Sequence, residues 1–180
     1  MGIVANQSIK NSIYMYIGMF LGALSVLVFY PNVFYDHPEN LGLIQIIVAS
    51  STIIHTFTYL GAPRILIRFF PKVGDKNQLI SLSFLIPLIG FFLFGLFYYF
   101  FNDLLFSFFK ADDIFRENFH FVFILVLFLS FYEILSSLSR SLLNATVPIF
   151  LKEVFLKGSF IVLLSLHWVN ILSFNMFLYL

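Results

Sequence analysis

Glu133, Ser137, Arg140 and Asn144 recur at offsets 0, 4, 7 and 11 in a run that is otherwise largely apolar. At about 3.6 residues per turn these offsets share one helical face. Polar side chains are expensive in hydrocarbon, so such a stripe faces either a wet cavity or a neighbouring helix. The preferred reading is a hydrophilic pathway, with Glu133 near mid-helix and Arg140 about two turns further on. The alternative is a structural seam. A sparser stripe precedes it: Gln45, Thr52 and His55 at offsets 0, 7 and 10, with Ser51, Thr56 and Thr58 nearby. His55 is either a pH-responsive group or a hydrogen-bonding partner for another helix. Arg64 and Arg68 then follow at i and i+4, just past Gly61 and Pro63. Guanidinium groups suit bidentate binding of phosphate, such as a diphosphate lipid headgroup. Plain anchoring by snorkelling side chains is the other explanation. The candidate binding residues are therefore His55, Arg64, Arg68, Glu133 and Arg140, with no catalytic set among them.

Other chemistries lack their residues. The chain has no cysteine, which removes disulfides, thiolate metal sites and thiol nucleophiles. His37, His55, His120 and His167 fall in separate segments, and no His/Asp/Glu spacing suits a metal. No phosphate loop or glycine-rich dinucleotide fingerprint is present, so no cofactor is expected. A formal net charge of +1 gives no reason to expect nucleic acid as a partner.

The elements that position these residues follow from composition. Of 180 residues, 61% are hydrophobic and only 11% charged, with a mean hydropathy of +0.98. A soluble domain of this size cannot hide so much apolar surface, and a disordered chain would be polar. Long unbroken apolar runs, rather than alternation, point away from a transmembrane β-barrel and toward an all-α polytopic helical bundle. A crossing needs about 20 apolar residues. Candidate spans run from Ile13 to Phe34, Leu41 to Leu60, Leu79 to Phe101, His120 to Leu143, and Val154 to Trp168. Ile171 to Leu180 reads as the start of a sixth, unless Val154 to Leu180 is one long tilted helix. The segment before the first span lacks the features of a cleavable signal peptide, so that helix is expected to stay as an anchor.

Charge placement orients the bundle. Lys10, Arg64, Arg68, Lys72, Lys76, Arg140, Lys152 and Lys157 fall on one predicted side, eight of the ten basic residues. Asp36, Glu39, Asp103, Asp112, Asp113 and Glu117 fall on the other, with Lys110 and Arg116. The positive-inside rule then puts the N-terminus in the cytoplasm. On the outer side, Leu104, Leu105, Phe108 and Phe109 recur near helical spacing within 102–118. That segment is either a helix lying on the bilayer surface or an ordinary connector. The glycosylation patterns Asn6-Gln7-Ser8 and Asn144-Ala145-Thr146 both lie on the predicted cytoplasmic side and are treated as chance.

Several short stretches carry a resemblance. Lys10-Asn11-Ser12 leads into a glycine-containing first helix. The outer loop reads His37-Pro38-Glu39-Asn40-Leu41-Gly42, the second helix closes with Tyr59-Leu60-Gly61-Ala62, and Arg68-Phe69 follows. Leu142-Leu143-Asn144-Ala145 lies between spans four and five. In order and spacing this resembles the N-terminal part of the polysaccharide (O-antigen, Wzx-type) flippases, within the multidrug/oligosaccharidyl-lipid/polysaccharide exporter superfamily. The resemblance implies that residues 1–180 form a first transmembrane lobe, cut short of the dozen or more spans of the family. It implies a transporter, not an enzyme, in the bacterial inner membrane. The implied cargo is an undecaprenyl-diphosphate-linked glycan, moved by alternating access, with membrane lipids and glycan-assembly membrane proteins as further partners. Arg64, Arg68 and Arg140 would hold the diphosphate, and Glu133 would pair with one of them or answer a driving ion.

Other readings stay open. A cation-coupled drug antiporter of the same superfamily usually carries a carboxylate in span one, and Ile13 to Phe34 contains none. A non-transporting scaffold or fragment in glycan assembly is a third reading. A membrane-embedded enzyme would need clustered catalytic residues at one membrane face, and none is visible.

Overall fold

The computed structural model describes residues 2–108, 112–169 and 171–179. Phe109, Lys110 and Leu180, named above, lie outside that set. Every regular element among the described residues is helical. Four helices are long and apolar enough to cross a membrane: Ala5–Val33, Pro38–Thr58, Lys76–Phe108 and His120–Ser141. A helix satisfies its backbone within itself, the condition hydrocarbon imposes on a crossing element. The chain is therefore an all-α protein built for a membrane.

The first crossing starts earlier than its composition suggests. Helix α1 (Ile3–Leu24) runs through a π-helical turn, Ser25–Phe29, into α2 (Tyr30–Val33). Pro31 has no N–H to donate, and the widened turn just before it absorbs the break without ending the helix. Helix α3 (Pro38–Thr58) follows, then α4 (Ala62–Phe69), inside a stretch expected to be loop. Helix α5 (Lys76–Phe108) has non-helical angles at Phe101 (φ −128°, ψ 30°), so its last turns leave the line of the first 25 residues. Helices α6 (Asp113–Glu117) and α7 (His120–Ser141) complete this part.

The fifth expected span is longer and more polar than its sequence range suggested. Helix α8 (Thr146–Phe150), a π-helical turn (Leu151–Leu156) and α9 (Lys157–Trp168) are continuous. Lys152, Glu153 and Lys157 interrupt its apolar character, and it is not among the four membrane-length apolar helices. Val169 (φ −79°, ψ 7°) caps α9, and helix resumes only in α10 (Phe174–Tyr179). One unbroken helix from Val154 to Leu180 does not form.

The chain forms two compact units, residues 1–44 with 144–180, and residues 45–143. In the first, Phe34, Leu164 and Phe177 are buried together, with Phe29, Tyr30, Leu41, Ile44 and Phe160 around them. In the second, Ala62, Leu66, Phe70 and Ile134 form the core, flanked by Leu79, Ile80, Phe84, Ile86 and Leu138. Of the amphipathic stretch 102–118, residues 102–108 and 112–118 are described, while Phe109 and Lys110 lie outside the described residues. Leu104 and Phe108 face out, but Leu105 is buried. Phe106, Phe115 and Phe119 pack edge to face, and Tyr98 stacks on Phe119 at 5.0 Å with ring planes 9° apart.

Candidate functional site

The α7 stripe holds together over part of its length. The Arg140 guanidinium donates from Nη2 to Ser136 Oγ at 3.1 Å and lies 3.5 Å from Ser137 Oγ. Its Nε donates to the Ser136 carbonyl at 3.3 Å. Nη2 also reaches Glu133 Oε2 at 3.4 Å, across the predicted two turns. The Arg140 side chain is 44% exposed and that of Glu133 30% exposed. The pair is thus a long, half-open contact that leaves part of the guanidinium fork outward. Asn144 does not belong to this face. The helix ends at Ser141, and Leu143, at φ +60°, turns the chain away first.

The α3 stripe divides. Gln45 and Thr52 are exposed, whereas His55 is buried, because ten residues of helix rotate it away from Gln45. His55 Nδ1 lies 3.2 Å from the Ser51 carbonyl, and the ring meets Tyr59 edge to face at 5.5 Å. The better-placed polar residue is Thr58, whose Oγ1 is 2.9 Å from Ser130 Oγ on α7. Thr58 also reaches the His55 carbonyl (2.8 Å) and Ser130 the Val126 carbonyl (2.7 Å). Two hydroxyls have two protons for these three contacts, so a bond between helices releases one bond within a helix. Ser50, fully buried, has no partner for its Oγ.

Thr58 also fixes where the chain breaks. Leu60 (φ 48°) and Gly61 (φ 77°) are left-handed, ending α3 and starting α4. Ser130 is the midpoint of α7, so the break lies level with the middle of that helix. Helix α4 then runs on beside the first turns of α5, and Lys76 Nζ sits 5.2 Å over the Phe70 ring. The segment read as a cytoplasmic loop is thus a short helix of its own, with Ala62 and Leu66 fully buried. Arg64 and Arg68 occupy its exposed side, and the Arg68 guanidinium lies 5.9 Å from the Phe69 ring centre. No hydrogen bond or ion pair joins them to Glu133, Arg140 or His55 among the described residues. The five expected residues therefore fall into three places: an Arg140–Glu133 pair, an outward Arg64/Arg68 face, and a buried His55.

One polar group escaped the sequence reading. Glu153 and Lys157 pair at 2.6 Å on the 146–168 helix, and Lys157 Nζ donates to the Gly18 carbonyl at 3.1 Å. Gly18 leaves the room: a Cβ there would come within 2.8 Å of Glu153 Cβ. Glu153 thus brings a second carboxylate, beside Glu133, into a helical apolar pattern and packs it on α1 at Gly18. The available signal was the i,i+4 Glu–Lys spacing inside a helical apolar pattern, together with two glycines, Gly18 and Gly22, in α1. Groups of three or more possible metal ligands are absent among the described residues.

No protein-family profile, curated protein or solved structure matches the chain.

Proposed function

We propose that the chain is the N-terminal lobe of a flippase that moves a lipid-diphosphate-linked oligosaccharide across the bacterial inner membrane by alternating access. In this reading it crosses five times and begins a sixth crossing, with the N-terminus in the cytoplasm, where most basic residues then lie. The observation that carries the reading is Arg140. It is a guanidinium on a membrane-length helix, 44% exposed and held by Ser136 together with a 3.4 Å carboxylate contact. Donors held in place but not saturated are what a migrating diphosphate requires. Arg64 and Arg68 supply a second cationic face. The interrupted α3–α4 element supports the same reading, since transporters build midplane sites around discontinuous helices. The cargo's hydrocarbon tail stays in lipid, and glycan-assembly membrane proteins deliver the glycan.

Reconstitution with a fluorescent undecaprenyl-diphosphate-linked sugar tests this. Movement between leaflets that falls about tenfold or more in Arg140→Ala, equal to about 1.4 kcal/mol on the barrier, supports the role. Partial rescue by Arg140→Lys is also expected. Equal rates for wild type and Arg140→Ala remove Arg140 from the pathway.

A second reading has its own support. Glu153 brings a carboxylate against the first crossing at Gly18, the element a cation-coupled drug antiporter of the same superfamily would need. Glu153→Gln abolishing cation-driven drug efflux while sparing lipid-linked sugar movement would favour it.

A further inference from the structure

We propose that the cavity between α3 and the kinked α5 is a binding site for one hydrocarbon chain of an amine-bearing zwitterionic phospholipid. The cavity holds about 1060 Å³, at the upper end of small-ligand pockets. Phe57, Leu60, Phe94 and Phe97 line it, with Asp103 and Ser107 contributed by the segment after the Phe101 kink. The space arises because Gly90 lets α5 cross α3 backbone to backbone at Thr58, while the kink swings 102–108 back over α3.

Three observations choose the occupant. The lining is almost wholly apolar, and α3 and α5 are both of membrane length, so the adjoining medium is hydrocarbon. The 25 residues of α5 before the Phe101 kink already exceed the roughly 20 that cross the bilayer core, which places the kink, and Asp103 two residues past it, at headgroup level. Asp103 also has no ion-pair partner among the described residues. A carboxylate in the lining of an otherwise apolar cavity matches an ammonium headgroup. The carboxylate repels a lipid whose headgroup is only anionic, including a diphosphate carrier. This site therefore does not depend on the flippase reading, and it needs no transport.

The test uses the whole chain with Trp168, its single tryptophan, replaced by Phe and a reporter introduced as Phe94→Trp. Vesicles contain equal phosphatidylethanolamine and phosphatidylglycerol, with bromine on the acyl chains of one or the other. Exposed ion pairs support roughly a two- to fivefold preference. Brominated phosphatidylethanolamine should quench the reporter more strongly by that factor, Asp103→Asn should remove the difference, and Asp103→Lys should reverse it. A Phe20→Trp reporter on α1, whose Phe20 is 67% exposed, should show no preference. If Phe94→Trp does not fold, Phe97→Trp takes its place. Equal quenching by both lipids, or a preference that survives Asp103→Asn, overturns the proposal.

Discussion

Gly90 brings α5 so close to the Thr58 carbonyl on α3 that no side chain fits between them. Replacing a helix glycine by alanine normally stabilises by about 1 kcal/mol. Here the added methyl meets rigid backbone, so the sign inverts. Gly90→Ala should destabilise by about 1–3 kcal/mol or block folding. Gly95→Ala, where a Cβ meets nothing within 4 Å, should be neutral or stabilising. Unfolding in detergent followed by circular dichroism separates the two, and equal behaviour contradicts the close crossing.

Thr58 and Ser130 form a link between helices that competes with their own back-bonds. Hydrogen bonds between membrane helices average about 0.6 kcal/mol. Ser130→Ala and Thr58→Ala should each cost about that much, and the double mutant should show coupling of similar size. A coupling energy of zero in that cycle would mean that the two hydroxyls keep to their own helices.

Glu153 and Lys157 share a site that is part-buried, 23% and 35% exposed. Removing one charge strands the other, at about 1–3 kcal/mol. Lys157→Met should therefore destabilise more than the double change Glu153→Gln with Lys157→Met. Thermal unfolding of the three proteins gives the order, and a double variant less stable than Lys157→Met refutes the pairing.

Leu143 holds φ +60°, which strains a residue with a Cβ. Left-handed geometry disfavours such residues by about 1–2 kcal/mol, and asparagine tolerates it better. Leu143→Asn should raise stability by about 1 kcal/mol, seen as a higher midpoint in the same unfolding assay. A lower midpoint would show that the exposed leucine side chain contributes more than the strain removes.

The Arg140–Glu133 contact was legible because both residues sit on one helix, where spacing alone determines which side chains can meet. His55 was misplaced by a similar argument. Its ten-residue offset from Gln45 is only loosely in phase, and packing turned it inward. The α4 segment was hidden because Arg64 and Arg68 looked like a basic loop, while its apolar side, Ala62 and Leu66, is too short to register as a span.

Apolar run length and residue type by themselves dictated an all-helical chain and, closely, the centres of its four membrane-length helices, though not the number of helices. In hydrocarbon each backbone group must bond within its own element, and that requirement is local. Only tertiary structure decided that Thr58 meets Ser130, 72 positions away, that Lys157 reaches Gly18 across 139, and that α3 ends beside the middle of α7. Those pairings depend on how closely two backbones approach, a property of both helices together that no periodicity along one of them encodes.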